Sequence, residues 1–254
     1  MLLALDLGNT NLTIGLFNKD KLDATWRLSS DHQRTKDEYG LQISALLVNK
    51  NLTPDDLSGI ILSSVVPPIT NWIVQACKSY LNISPMIVSP ELKLNIEVLY
   101  DDPGAVGADR IADAVAAEEF FGSPACVIDF GTATTFNAIA AGGKYLGGAI
   151  LPGISTAADS LVSRTAKLPA VELNAPPSVI GRNTRHAMQA GLIFGYVALV
   201  EGMVRRFREE LGEKMNVIAT GGHVEKISSH TQLIDHVEPW LTLKGLKIIW
   251  ELNK

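Results

Sequence analysis

Short apolar runs at two places along the chain end in the same kind of polar turn. Residues 2–5 lead into Asp6-Leu7-Gly8-Asn9-Thr10, and residues 126–128 lead into Asp129-Phe130-Gly131-Thr132-Ala133-Thr134. A second apolar run follows each turn. Runs of this length bounded by turn residues are typical of β-strands, so both places are predicted to form a strand, a tight turn and a returning strand.

The composition of these turns suits phosphate and metal binding. Glycine has no Cβ, so a phosphate can approach the backbone closely, and the Asn, Thr and amide groups offer hydrogen-bond donors. The neighbouring carboxylate suits a metal ion. A single Asp-x-Gly is most simply a turn that follows a strand, but two copies in matching contexts favour a functional interpretation.

The similarity between the two places continues beyond the turns. Residues 17–20 and 140–143 fall at the same offset from the two motifs, and a third strand-like stretch follows each. In this plan the chain resembles the actin, sugar kinase and Hsp70 ATPase superfamily. The resemblance implies an α/β fold of two duplicated actin-like (ribonuclease H-like) domains, each with a mixed sheet flanked by helices. We place the domains at 1–115 and 116–254.

Hydrophobic periodicity predicts the remaining elements, with a loop at 100–109 as the hinge. Helices are predicted at 35–50, 70–81, 110–121, 155–162 and 184–211, and further strands at 60–66, 86–89, 216–219 and 246–250. The part of the long helix at 190–200 is apolar nearly all round. Such a helix needs cover on every side, from its own domain and from a second subunit, so we expect a homodimer.

Composition narrows the functional class. The 254 residues are 46% hydrophobic and 19% charged, which is ordinary for a soluble protein with a sizeable core. The net charge of -5 argues against nucleic acid as a partner, and the one basic cluster, at 205–208, is followed at once by Glu209 and Glu210.

Targeting and redox signals point to the cytoplasm. Asp6 interrupts the first apolar run too early for a signal peptide or a membrane span, so no membrane association is expected. Cys77 and Cys126 lack the spacing of a metal site and are interpreted as reduced core thiols.

The segment Gly107-Ala108-Asp109-Arg110 places a carboxylate beside a guanidinium where a loop enters a helix. A carboxylate there could accept the proton of a bound alcohol, while the arginine holds an anionic group. The alternative is that Asp109 only caps a helix that begins at Arg110.

Three further segments could approach a ligand: 147–153, the Gly221-Gly222 pair after a strand, and Gly181-Arg182-Asn183-Thr184 before the long helix. The glycines of the first two could equally form compact turns, and Asn183 or Thr184 could simply cap the helix. The sequence contains neither a P-loop motif nor a Gly-x-Ser-x-Gly motif, and the histidines share no spacing.

Taken in order, these motifs closely resemble the motif set of the type III pantothenate kinases. The resemblance covers nearly the whole chain and continues through 187–191, 219–222 and 241–246. One departure is Gly104-Ala105, where a bulkier and often acidic pair is expected. It leaves Asp109 and Arg110 untouched.

The resemblance implies ATP-dependent phosphorylation of pantothenate to 4′-phosphopantothenate, the first step of coenzyme A synthesis, by a cytoplasmic homodimer. Asp109 would be the general base. Asp129 would bind a monovalent cation, K⁺ or NH₄⁺, and Asp6 would lie near Mg²⁺, through water. The ATP-binding residues would be Asp6, Leu7, Gly8, Asn9, Thr10, Asn11, Leu12, Thr13 and Thr132. The pantothenate-binding residues would be Tyr100, Gly107, Ala108, Asp109, Arg110 and Thr184.

Two alternatives remain open at this stage. The ATP-binding loops do not recognise the acceptor, the substrate that receives the phosphate. A kinase of the same superfamily for another small hydroxylated acceptor therefore fits these loops equally well. A non-catalytic nucleotide-binding regulator is the second alternative, although a regulator has no need of a base at Asp109.

Overall fold

The computed structural model describes residues 1–254, which form two compact units. Unit 1 comprises Met1–Leu94, Asp102–Ala116 and Thr242–Lys254, and unit 2 comprises Asn95–Asp101 and Ala117–Leu241. The strands are β1 (Leu2–Leu7), β2 (Asn11–Asn18), β3 (Lys21–Ser29), β4 (Gly59–Ser64), β5 (Met86–Ile87), β6 (Glu97–Val98), β7 (Ala125–Phe130), β8 (Ala133–Ala140), β9 (Lys144–Pro152), β10 (Asn216–Thr220) and β11 (His236–Val237). The α-helices are α1 (Lys36–Val48), α2 (Pro67–Leu81), α3 (Ala108–Phe121), α4 (Ile154–Ser163), α5 (Thr184–Leu211), α6 (Val224–Ser228) and α7 (Leu241–Asn253).

The sheet of unit 1 is mixed, in the order β3-β2-β1-β4-β5. Strand β1 is antiparallel to β2 and parallel to β4. Alternate residues of the central strands, such as Leu5, Ile14 and Leu62, join buried residues of α1 and α2 in one hydrophobic core. Because side chains alternate along a strand, the residues between them face the opposite side of the sheet.

Helix α7 packs closely on unit 1. A side chain at Gly59 would overlap the ring of Trp250, and a side chain at Gly15 would lie 2.9 Å from Leu243 Cδ1. Gly245 of α7 likewise leaves no room for a Cβ beside the carbonyl oxygen of Ala112 in α3. Glycines on both sides of these contacts therefore allow α7 to approach both the sheet and α3.

Two expectations about the C-terminal segment are corrected by this packing. Residues 246–250 form part of helix α7 and not a strand, and the helix from Thr242 onwards packs with unit 1 and not with the second half of the chain. The run Ile248-Ile249-Trp250 has strand-forming side chains, but the fully buried residues Leu243, Leu246 and Ile249 are spaced three apart, as on one face of a helix.

Unit 2 repeats the sheet of unit 1 and adds one strand, in the order β11-β10-β7-β8-β9-β6. The repetition extends to irregularities: the register shifts at Leu16/Phe17 between β2 and β3 and at Ala138/Ile139 between β8 and β9. The predicted strand, turn and returning strand are thus confirmed in both copies. The two-residue strands β6 and β11 and the short helix α6 have no periodicity and were not predicted.

Helix α5 covers unit 2, and its observed bounds match the predicted ones. Leu192, Ile193 and Val200 pack against β7 and β10 residues in the core of the unit. The helix is long and apolar enough, by length and composition, to cross a membrane, but 44% of its most apolar window is buried inside the protein. Buried core helices of soluble proteins meet the same criteria, so length and composition do not distinguish the two.

Candidate active site

The turn between β1 and β2 forms the first part of the site, in unit 1. The amide of Gly8 donates to the carbonyl oxygen of Asn11 at 3.0 Å, which closes the turn. Asn9, Thr10 and Asn11 are exposed, and Asp6, Gly8 and Thr13 are partly exposed. The side chains of Leu7 and Leu12 are fully buried in the core, so these two residues can reach a phosphate only through their backbone.

Neighbouring segments fix this turn through its carbonyl groups. Ser30 donates from its amide to Thr10 O at 2.9 Å and from its hydroxyl to Gly8 O at 2.6 Å. On the other side, the amide of Val65 donates to Leu7 O at 3.1 Å. With its carbonyls satisfied, the turn presents amides and polar side chains outwards.

Unit 2 builds its turn in the same way between β7 and β8. The amide of Gly131 donates to Ala133 O at 3.0 Å, that of Gly153 to Thr132 O at 3.0 Å and that of His223 to Phe130 O at 3.2 Å. These bonds correspond one by one to those of Gly8, Ser30 and Val65. Thr132 itself is exposed at the tip of the turn.

Two predicted glycine segments converge on this second turn. Gly221, at φ +95°, lies so close to Asp129 that a Cβ would overlap its Oδ1. Gly153 lies equally close to the carbonyl oxygens of Gly131 and Thr132. Glycine is therefore required at both positions, because the backbone there lies too close to the Asp129 turn for any side chain. The sequence alone did not distinguish this close contact from an ordinary compact turn.

Asp109 lies in the first turn of α3, which begins at Ala108. Asp109 is therefore not the N-cap of a helix beginning at Arg110, and that alternative is wrong. The amide of Arg110 donates to Asp109 Oδ1 at 2.7 Å. Burial raises the pKa of the Asp109 carboxyl above its ordinary value, and the amide bond and the charge of Arg110 offset only part of this increase.

Val65 connects Asp109 to the first turn within unit 1. A Cβ on Gly107 would lie 2.5 Å from Asp109 Oδ1 and 3.4 Å from Val65 Cγ1. Because the amide of Val65 also bonds to Leu7, one residue contacts both the Asp6 turn and the segment before Asp109. The predicted ATP loop and the segment before Asp109 thus both lie beside Val65, which directly follows β4, at an edge of the sheet where α/β proteins bind ligands.

The remaining predicted residues lie in unit 2. Tyr100 packs over Gly147, at φ +115°, where a Cβ would lie 2.9 Å from Tyr100 Cε2. The ring centroids of Tyr100 and the buried Tyr145 are 6.5 Å apart. Thr184 is exposed as the first residue of α5, and the N-cap is Asn183, whose Oδ1 accepts the amide of His186 at 2.9 Å.

The metal-binding potential of the site rests on oxygen atoms. No group of three or more His, Cys, Asp or Glu side chains converges anywhere in the structure. Mg²⁺ fits the Asp6 turn nonetheless, since it keeps several waters and is commonly held by one carboxylate and substrate phosphates. Asp129 pairs across the sheet with Thr135 and Thr220, so carboxylate and hydroxyl oxygens, donors that hard cations prefer, share one face of the sheet there.

Sequence reasoning missed Ser30, Val65 and His223. All three donate backbone amides, and only Ser30 also donates from its side chain, so the residue types carry little recognisable signal. The offset between the two copies could have located Ser30, because Ser30 lies as far after Asp6 as Gly153 lies after Asp129. Val65 and His223 follow the two motifs at different distances, so the offset does not locate them.

Comparisons with known proteins agree with this construction. The profile of the type III pantothenate kinase family matches residues 2–206. A type III pantothenate kinase of Bacillus cytotoxicus is 47% identical over 253 residues, which cover 100% of this chain and 97% of the relative.

Solved structures show the same fold at low sequence identity. A Baf-family protein from Campylobacter jejuni matches with a TM-score of 0.63 at 20% identity, over 98% of this chain and 97% of the other. The polyphosphate/ATP-glucomannokinase of an Arthrobacter strain matches with a TM-score of 0.52 at 15% identity, over 98% of both chains. These matches confirm the predicted duplicated α/β fold and carry no information about substrates. The family profile and the full-length relative show that the chain belongs to the type III pantothenate kinase family.

Proposed function

We propose that Asp109 is the general base of an ATP-dependent pantothenate kinase, and that the Asp6 turn holds the phosphates of its nucleotide. Family membership gives the overall reaction, the phosphorylation of pantothenate to 4′-phosphopantothenate, which is the first step of coenzyme A biosynthesis. The position of Asp109 is the observation that supports its role as the base. Its carboxylate is partly buried at a helix start, in a segment that contacts the phosphate turn through Val65.

The environment of Asp109 suits proton transfer from an alcohol. Phosphoryl transfer depends mainly on positioning and charge neutralisation, so one carboxylate that orients the hydroxyl and accepts its proton is sufficient. A raised pKa makes the ionised carboxylate a stronger base. The bond from the Arg110 amide holds Oδ1, which leaves Oδ2 for the hydroxyl of the substrate.

The nucleotide is assigned to the residues of the two turns. The exposed residues Asn9, Thr10 and Asn11 supply side-chain and amide donors to the phosphates of ATP, and Thr132 supplies one more. Gly8, whose own amide closes the turn, lets the phosphates approach the backbone. Asp6 is the residue that would hold Mg²⁺, through water. When bound, Mg²⁺ neutralises phosphate charge during transfer.

Pantothenate is assigned to Tyr100, Thr184 and the segment from Gly107 to Arg110. Arg110 is only 8% exposed, and a largely buried guanidinium suits a carboxylate, which pantothenate carries at one end. Tyr100 offers an aromatic surface, fixed by Gly147 beneath it. Thr184 offers a hydroxyl at the positive end of α5.

Asp129 is assigned to a monovalent cation, K⁺ or NH₄⁺. Its position corresponds to that of Asp6 in the other copy, and its neighbours offer oxygen ligands. A cation there would lower the repulsion between the carboxylate and incoming phosphates. Replacing K⁺ by Na⁺ is therefore expected to slow the reaction.

A homodimer is supported by one face of α5. Ala187, Gly191, Gly195, Ala198 and Gly202 recur at helical spacing and form a smooth stripe, called here the small-residue stripe. No atom outside the helix lies within 4 Å of a Cβ added at any of its three glycines. Glycine inside a helix costs about 1 kcal/mol relative to alanine, a cost that close packing of a second copy would offset. We place this dimer in the cytoplasm, as expected for a metabolic kinase.

An acceptor screen tests the proposed function. Purified protein is incubated with ATP, Mg²⁺ and K⁺ and with pantothenate or other small hydroxylated acids, and products are identified by mass spectrometry. We expect 4′-phosphopantothenate, formed more slowly when Na⁺ replaces K⁺. Phosphorylation of a different acceptor alone would contradict the assignment of pantothenate, and nucleotide binding without any product would favour a regulator.

A further inference from the structure

Hydroxyl side chains flank the motif aspartate in both units. Asp6 pairs in register with Thr13 on β2 and with Ser63 on β4. In unit 2, Asp129 pairs with Thr135 on β8 and with Thr220 on β10. Side chains at paired positions of adjacent strands lie on the same face of the sheet, so each carboxylate stands between two hydroxyl groups. Ser63 is the member of these rows that the proposed function has not used.

The strand register confirms that Ser63 faces Asp6. Leu62 belongs to the core beneath α1 and α2, and Ser64 contacts Thr70 of α2, with 2.6 Å between the two hydroxyl oxygens. Ser63 lies between them and therefore points to the opposite face, which is the face of Asp6. Neighbouring strands are about 4.8 Å apart, so a carboxylate can reach a hydroxyl across that gap by rotation of its side chain.

Ser63 is also unusual because its hydroxyl is buried without a partner. The residue is fully buried, and Oγ forms no hydrogen bond in the protein. An unsatisfied buried hydroxyl costs free energy, on the order of 1–3 kcal/mol, and such groups in folded proteins call for a specific explanation. Asp6 is the carboxylate acceptor that lies in register beside Ser63.

We propose that Ser63 is a positioning residue for Asp6. When the magnesium–nucleotide complex binds, one carboxylate oxygen of Asp6 accepts the Ser63 hydroxyl, and this bond directs the other oxygen towards the hydrated metal. The buried Ser63 hydroxyl thus gains an acceptor when the Asp6 carboxylate turns towards it. This inference rests on the proposed role of Asp6 and deepens it, since it names the group that orients the carboxylate.

The test compares nucleotide affinity with stability. Ser63→Ala is expected to weaken binding of ATP with Mg²⁺ about tenfold to a hundredfold by calorimetry, the loss of one hydrogen bond to a charged group. Binding of ATP in EDTA is expected to stay unchanged. The Tm of the ligand-free variant is expected to equal or exceed that of the original protein, because an unsatisfied hydroxyl has been removed.

Two control variants separate this role from a structural one. Ser63→Thr keeps the hydroxyl, as Thr220 does at the matching position of unit 2, and should restore affinity for the magnesium complex. Ser44→Ala removes another buried hydroxyl without a partner, in α1, and should leave affinity unchanged. Unchanged affinity for magnesium–ATP in Ser63→Ala, or a fall in Tm that accounts for the loss, would overturn the inference.

The variant Asp6→Asn separates a failure of the proposed role of Ser63 from a failure of the proposed role of Asp6. If Asp6→Asn weakens binding of the magnesium complex and Ser63→Ala does not, only the role of Ser63 is wrong. If Asp6→Asn binds magnesium–ATP as tightly as the original protein, the proposed role of Asp6 fails, and the inference about Ser63 fails with it.

Discussion

Among the individual residues, Gly107 sets the position of the carboxylate of Asp109, the proposed base. A methyl group there would lie 2.5 Å from Asp109 Oδ1, which is closer than any stable contact. We predict that Gly107→Ala displaces the carboxylate and lowers kcat about 10- to 100-fold, since misplacement by about 1 Å has effects of this size. ATP affinity, measured by calorimetry, should change little.

Gly104→Ala is the matched control in the same loop, because its added Cβ would lie at an ordinary 3.4 Å from Asp102 Oδ1. An equal loss of kcat in both variants would contradict the explanation.

The burial of Asp109 also predicts a pH-dependent cost in stability. Because burial raises its pKa in the folded protein, the folded state binds the proton more tightly than the unfolded chain does. Stability from this group is therefore greatest at low pH and decreases as the pH rises through the raised pKa. We predict that Asp109→Asn unfolds at a higher Tm than the original protein at pH 7, and that the difference shrinks as the pH falls towards 4. A lower Tm for the variant at pH 7 would show that the carboxylate stabilises the fold.

Among the helices, the contact between α3 and α7 is expected to affect both the stability of the fold and the position of Asp109 in α3. Gly245 of α7 lies against the carbonyl oxygen of Ala112, less than one helical turn after Asp109. We predict that Gly245→Ala pushes the two helices apart, with a loss of about 1–3 kcal/mol in the free energy of unfolding and a lower kcat. Urea unfolding and steady-state rates measure the two effects. Leu252→Ala, at a residue of α7 that is 41% exposed, should change either by little.

Elements could be predicted from the sequence where a local pattern determined them. The apolar runs before Asp6 and Asp129 specified both strand-turn-strand units, and the long, mainly apolar stretch after Asn183 predicted α5. Helix α7 was missed because residues 246–250 were interpreted as a strand, although Leu243, Leu246 and Ile249 recur at helical spacing. Of the site, the motif side chains were found, whereas Val65 acts through an amide that every residue possesses, and Ser30 acts through its amide and a hydroxyl outside any motif.

The assembly of the whole molecule depends on the small-residue stripe of α5. We predict that Gly195→Leu converts a dimer into a monomer, because a large side chain prevents close approach of a second copy. Sedimentation velocity measures the mass directly. Glu210→Leu, exposed in the last turn and outside the stripe, should remain dimeric. A monomeric original protein with full activity would contradict the proposed dimer.

The rate of a single turnover is the sharpest test of whether Asp109 accepts the proton of the substrate hydroxyl. Asp109→Asn keeps the size of the side chain but cannot accept the proton of pantothenate. With saturating ATP, Mg²⁺ and K⁺, the rate of 4′-phosphopantothenate formation should fall by a factor of about 100 or more, while the affinity for ATP remains unchanged. A single-turnover rate equal to that of the original protein would contradict the account.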